Sequence, residues 1–230
     1  MDFDELNARI VSCSRCPRLV RYREEVARNP PRRFAGHTYW SRPLPGFGDR
    51  SARILVVGLA PAAHGGNRTG RMFTGDSSAS FLASTLHQLG LANKPTSESV
   101  DDGLVLHDVF LTAPVRCAPP ANKPTHDEFE NCYPFLLKEA RQLSQLRVVV
   151  ALGAIGFGAS VRLLNDLGFR SVAKPKFGHG VEFAFSDDRG MRKFLLGSYH
   201  PSRQNTQTGR LTKAMFLSVF RRALELASHS

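Results

Sequence analysis

Apolar, β-branched runs recur along this chain, and several stop abruptly in glycine or small polar residues. Such runs predict strands over 53–57, 108–112, 147–152, 181–185 and 193–196, the last leading into Gly197-Ser-Tyr-His200. Between them, helical patterns predict helices over 2–11, 78–89, 125–143, 153–168 and 211–227. Thr125-His-Asp-Glu128 has the spacing of a capping box and sets the start of the third helix. The Pro-rich, aromatic stretch 30–45 predicts a wrapped loop. Strands alternating with helices of this length predict an α/β fold: a three-layer αβα sandwich around a central, mainly parallel four-stranded sheet, in one domain over 1–230.

In such sheets ligands bind beyond the carboxyl ends of the strands, here near residues 58, 113, 153 and 197. The first of these carries Gly58-Leu-Ala-Pro-Ala-Ala-His-Gly-Gly-Asn-Arg-Thr-Gly70. Its glycines let backbone amides approach a ligand, and His64 and Arg68 supply polar and phosphate-matching groups. The loop is neither a Walker sequence nor a dinucleotide-binding turn. His200-Pro-Ser-Arg-Gln-Asn repeats the design at another strand end, so two polar loops are expected to face one crevice.

Length and a 42% hydrophobic content allow one substantial core and make two independent domains cramped. The formal net charge of +11 comes mostly from arginine, with seven arginines between Arg15 and Arg33 alone. Guanidinium matches phosphate bidentately, so a polyanionic partner, first of all nucleic acid, is expected. The acidic start Met1-Asp-Phe-Asp-Glu has no apolar core behind it, and the longest apolar run, 148–159, is too short for a bilayer. These features predict a cytoplasmic protein with no membrane partner.

Four cysteines are present, Cys13-x2-Cys16 near the N-terminus and Cys117 and Cys132 far along the chain. In a cytoplasmic chain this set favours metal or cluster ligation over disulfides. A structural zinc ribbon usually carries a second short knuckle, absent here. The wide separation of the second pair suits a cubic iron-sulfur cluster tying the N-terminal segment to the sheet. Zinc and [4Fe-4S] both remain open on spacing alone.

Gly58-Leu-Ala-Pro61 with His64, Phe73-Thr-Gly-Asp76, Cys117-Ala-Pro-Pro-Ala-Asn122-Lys-Pro and His200-Pro-Ser-Arg-Gln-Asn, in that order and with the cysteine spacing, resemble the uracil-DNA glycosylase superfamily. Specifically, the chain is similar to its family five, the iron-sulfur UDGb type, from Cys13 to Met215. Met72 departs from the Pro that commonly precedes this Phe in relatives.

The resemblance implies a monofunctional DNA glycosylase that excises uracil, and hypoxanthine or xanthine, from double- or single-stranded DNA. It would work in a prokaryotic cytoplasm, on the nucleoid, and a monomer is expected because one site on DNA requires no symmetry. Gly58 and Ala60 belong to the first substrate-binding motif, and Phe73 would stack on the extruded base. Asn122 would donate to O4 and accept from N3–H of uracil, which requires its amide to be held in one orientation. Ala62 stands where members strict for uracil carry a bulky Tyr, which implies a permissive pocket. His200 would donate to the O2 carbonyl as the bond breaks. Ser202, Arg203 and Gln204 would grip phosphates or wedge the duplex, with Arg68 and Lys123 as further phosphate contacts.

The water activator is absent from its usual place, because Leu59 and Ala60 hold the positions where other members carry Asp, Asn or Glu. Asp76 is the nearest carboxylate, and it is equally suited to capping the helix that follows. His64 is the second candidate, orienting water or contacting the substrate backbone. The cluster would be a structural [4Fe-4S] on Cys13, Cys16, Cys117 and Cys132, with zinc the alternative. Two rivals are a non-catalytic damage or RNA binder of the same fold and a nucleotide-handling α/β hydrolase.

Overall fold

The computed structural model describes residues 2–228. Its strands are β1 (Phe47–Gly48), β2 (Ile54–Val57), β3 (Val109–Thr112), β4 (Val148–Leu152), β5 (Glu182–Ser186) and β6 (Arg192–Ser198). Its α-helices are α1 (Phe3–Val11), α2 (Pro17–Arg28), α3 (Gly66–Thr69), α4 (Ser77–Gln88), α5 (His126–Gln142), α6 (Ala154–Asp166), α7 (Arg203–Gln207) and α8 (Lys213–Ser228).

The strands form one sheet in the order β1-β3-β2-β4-β6-β5. The inner four, β3, β2, β4 and β6, are parallel, as expected. The sheet has six strands rather than four, because an antiparallel strand is added at each edge. β5 must run antiparallel to β6: only five residues join them, too few for a crossover. Asp187 closes that turn by accepting from the backbone N–H of Arg189 and Met191.

Every residue of β2, β3 and β4 is buried, which requires cover on both faces. Successive side chains divide between two cores. Ile54, Val56, Val148 and Val150 pack with Leu82 of α4 and Phe216 and Phe220 of α8. Leu55, Val57, Val149 and Ala151 pack with Leu136 of α5 and Phe157 and Leu163 of α6. The sheet therefore lies between helical layers, and its strands deliver their C-terminal ends to one edge.

The capping box at Thr125 forms as expected. α2 was not foreseen. Its buried positions are Leu19 and Arg23, so a cation stands where an apolar stripe would have signalled the helix. The stretch 30–45 is a wrapped loop; the N–H groups of Trp40 and Ser41 bond the carbonyls of Arg68 and Asn67 at 3.1 Å each.

Arg116 and Glu139 pair inside the protein, 1% and 0% exposed. The carboxylate accepts from both terminal nitrogens of Arg116, from Gly46 N–H at 2.9 Å and from the Thr112 hydroxyl at 2.6 Å. Four donors fill this carboxylate and offset its burial, while the Nε of Arg116 has no partner among the described residues. The pair thereby clamps the end of β3, the start of β1 and the loop leading to Cys117.

Candidate active site

Two inner strands build the site. β2 runs out at Val57 into Gly58-Leu-Ala-Pro61, and β6 ends at Ser198, two residues before His200. Between them lies a cleft of about 270 Å³ whose walls include Ala60, Ala62, Phe73, Asp76, Asn122 and His200. Loops distant in sequence thus converge on one cleft. Leu59 and Ser202 complete the lining near the first and last motifs, and Gln204 is exposed on α7 and lies outside it.

Gly58 underlies this arrangement. A Cβ there would stand 2.6 Å from Cζ of Phe73, so only glycine lets the ring lie against the strand end. Phe73 has a left-handed backbone, φ 49°, a strained state that surrounding contacts must hold. Ser97 supplies them: its hydroxyl donates to the Phe73 carbonyl at 2.9 Å and its carbonyl accepts from Gly75 N–H at 2.9 Å. Met72, where relatives commonly have Pro, is buried in the core below this turn.

The turn ends at Asp76. One carboxylate oxygen accepts from Ala79 N–H at 2.9 Å, capping α4, and the residue also lines the cleft. A side chain at Gly65 would collide with this carboxylate. Burial pushes its pKa above the ordinary 3.8, against the pull of Ala79 and Ser78 N–H and of Arg203 and Arg68. A raised carboxyl pKa makes the ionised form a stronger base.

His200 is half-buried, and desolvation pushes its imidazole down to about 4. It is therefore neutral near pH 7, so its imidazole can offer a hydrogen bond without carrying a charge. Asn205, which the sequence left without a role, positions it by donating to the His200 carbonyl at 2.8 Å. Asn122 reaches the cleft from a left-handed pair, Ala121 and Asn122, at φ 53° and 56°. Its side-chain amide has no partner among the described residues. The fixed orientation expected of it is thus not supplied by a neighbouring side chain.

His64 lies outside the base cleft, in an adjoining groove with Arg203. Its Nδ1 is 2.9 Å from the Tyr39 hydroxyl, and burial with the charges of Arg33 and Arg68 lowers its pKa. Arg68 is turned inward: it donates to the carbonyls of His64 at 2.9 Å and Gly75 at 3.0 Å. Through these two bonds the guanidinium joins the first motif to the Phe73 turn. Lys123 offers its carbonyl to Arg18 at 3.0 Å.

Cys13, Cys16, Cys117 and Cys132, none in a disulfide, line one small cavity beside α2. Each sulfur faces a nitrogen donor: Arg15 Nε on Cys13 at 3.4 Å, Asn131 on Cys16 at 3.9 Å, Arg23 on Cys117 at 3.1 Å and Arg116 N–H on Cys132 at 3.2 Å. Burial raises the Cys117 thiol to about 11 and the Cys132 thiol to about 12. Among the described residues no three His, Cys, Asp or Glu side chains are grouped closely enough to hold one metal ion.

The model of the Uracil DNA glycosylase superfamily matches residues 45–224. The chain belongs to this superfamily. Relatives of this glycosylase-family chain agree along nearly its whole length. It is 52% identical to a Type-5 uracil-DNA glycosylase of Thermus thermophilus over 227 residues, 99% of each chain. It is 51% identical to a Type-5 uracil-DNA glycosylase of Mycobacterium leprae, covering 97% of this chain and 95% of that one. A third, from Pyrobaculum aerophilum, is 48% identical over 96% of this chain and 92% of its own. The family-five resemblance read from the motifs is therefore correct, and among the described residues no helix is long and apolar enough to cross a membrane.

Because Gly65 leaves room for the Asp76 cap of this superfamily member, Gly65→Ala should cost about 1 kcal/mol in urea denaturation. The double variant with Asp76→Ala should cost less than the two single losses together. Full additivity would show that the glycine does not act through the carboxylate.

Proposed function

We propose that this protein is a monofunctional uracil-DNA glycosylase: it hydrolyses the N-glycosidic bond of uracil in DNA and leaves an abasic site for base excision repair. The observation that carries the reading is the convergence of Phe73, Asn122, Asp76 and His200 on one base-sized cleft. Extruding a nucleotide costs a few kcal/mol, which contacts along the strand must offset. In the cleft, Phe73 stacks on the base and Asn122 meets its O4 and N3–H edge. As the bond to C1′ lengthens, charge gathers on the base, and neutral His200 donates to O2. Water adds to the oxocarbenium carbon and gives its proton to Asp76, while the base leaves as the stabilised anion. Among the described residues no lysine lines the cleft, which favours simple hydrolysis over Schiff-base chemistry.

The same pocket takes hypoxanthine and xanthine. Two features favour that breadth: Ala62 leaves room where a larger residue would block a purine, and these purines present through O6 and N1–H the same acceptor and donor that uracil offers Asn122.

The four cysteines suit a [4Fe-4S] cluster. A single zinc ion bonds each sulfur at about 2.3 Å and would draw all four into a tight tetrahedron. The four thiols instead surround a cavity without such a grouping, and each has a nitrogen donor of the kind that tunes cluster sulfurs. Bound there, the cluster supplies a cross-link between the N-terminal segment and the Cys117 and Cys132 region. It takes no part in hydrolysis, which moves no electrons.

Strand scission after alkali should follow incubation with duplexes carrying one uracil or one hypoxanthine, and not with cytosine controls. Loss of ionised Asp76 as pH falls should give an acid limb above 3.8, and Asp76→Asn should remove that limb with a rate about 10² to 10⁴ lower. His200, neutral down to about pH 4, should add no limb between pH 6 and 8. No scission by folded, cofactor-replete protein would leave the non-catalytic damage binder, which the apolar Leu59 and Ala60 in the cleft would then explain. Protein purified without oxygen should carry iron and acid-labile sulfide, and Cys117→Ala should lose both and fold poorly. Zinc in place of iron, or an unaffected Cys117→Ala variant, would refute the cluster.

A further inference from the structure

Beside the base cleft runs a second, larger groove of about 470 Å³. The two share Ala62, Asp76, Ser78 and Asn122, so they are continuous. Its far wall is made by Tyr22 of α2 and by Arg33 and Phe34, residues that precede the 45–224 stretch matched by the superfamily model. Arg203 of α7 stands on the groove as well. The N-terminal segment therefore adds to the site a wall that the core motifs do not contain.

The chemistry of that wall is specific. Arg33 and Arg203 are exposed, and neither is in an ion pair among the described residues, unlike Arg18, Arg53, Arg71, Arg116, Arg162 and Arg222. Phe34 fixes Arg33 in place: the Arg33 guanidinium lies 4.8 Å from its ring centroid, and Arg68 lies 4.4 Å from the same centroid. Such contacts orient a guanidinium without neutralising it. Tyr22 is half-buried and has no ring or hydrogen-bond partner among the described residues, which leaves its face for a ligand. The one carboxylate on the groove among the described residues is Asp76, already capping α4.

An unstacked aromatic face next to an unpaired guanidinium fits a nucleotide: a base on the ring and a phosphate on the cation. We propose that this groove is a subsite for the nucleotide flanking the extruded one, with Tyr22 stacking on its base and Arg33, buttressed by Phe34, holding its phosphate across from Arg203. The inference rests on the glycosylase reading for the identity of the strand. It adds a grip on one side of the lesion that works on single-stranded DNA, because it needs no second strand.

The test uses full-length protein and fluorescence anisotropy on single-stranded oligonucleotides carrying one non-cleavable abasic analogue. One is intact, and two end at the analogue on its 5′ or 3′ side. Tyr22→Leu and Arg33→Ala should each weaken binding of the intact strand by about 5- to 20-fold. Arg33→Ala should also reduce the salt slope of log K by about 0.7, the loss of one phosphate contact on a single strand. On one of the truncated strands, the one lacking the nucleotide in the groove, both variants should bind like wild type. Arg33→Lys should recover part of the loss, which separates lost charge from misfolding. Wild-type affinity in both variants, or an equal penalty on all three strands, overturns the subsite. Failure of the glycosylase reading looks different: wild type would release no uracil, whatever the variants do to binding.

Discussion

The pocket is built on the bare backbone of Gly58. It lies at the C-terminal end of β2, and the absence of a side chain lets the Phe73 ring press against the strand. That contact accompanies a left-handed backbone at Phe73, which turns the chain so that Asp76 arrives at the head of α4 and at the edge of the cleft. Gly65 keeps space beside the same carboxylate, and Arg68 ties the two glycine-rich segments together through their carbonyls. One steric allowance thus bears on the positions of both the Phe73 ring and the carboxylate.

Around it, the electrostatics are divided between two half-buried groups. Desolvation keeps His200 neutral, so it can donate to a developing anion without a charge that would have to be compensated in the resting enzyme. Desolvation also raises Asp76, which strengthens it as a base. Supporting both is a remote scaffold. The Arg116–Glu139 pair fixes the end of β3, and Arg116 also donates its N–H to Cys132, so the cysteine cavity and the sheet share one residue. Arg23 extends that link: its guanidinium meets Cys117, and its carbonyl accepts from the Asn67 amide in α3 of the first motif at 3.2 Å.

Much of this was legible in the sequence. The inner strands announced themselves as apolar runs because parallel strands are buried on both faces. The edge strand β1 did not, since two residues carry no period. α2 was hidden for a physical reason: Arg23 occupies a buried position through its bond to Cys117, and a pattern search treats it as surface. The motifs marked Phe73, Asp76, Asn122 and His200 as site residues, and the fold brings them together. Side-chain direction was beyond them. Nothing in the spacing says that His64 turns to Tyr39 and a neighbouring groove, or that Arg68 donates to the carbonyls of His64 and Gly75. Tyr22 and Arg33 lay in an arginine-rich stretch read only as charge, and their relation to the cleft follows from the way α2 and the wrapped loop fold back on the sheet.

The most direct measurement of this account is single-turnover uracil release by Gly58→Ala beside wild type, with thermal melting of both. A Cβ at this position would reach the far end of the Phe73 ring rather than the backbone, so the ring must move while the fold tolerates the change. The account predicts release slowed by about 100-fold, which corresponds to nearly 3 kcal/mol in the barrier, with melting within a few degrees of wild type. Wild-type release by a folded Gly58→Ala protein would contradict it, because the seat of Phe73 on the strand end would then have no bearing on the chemistry.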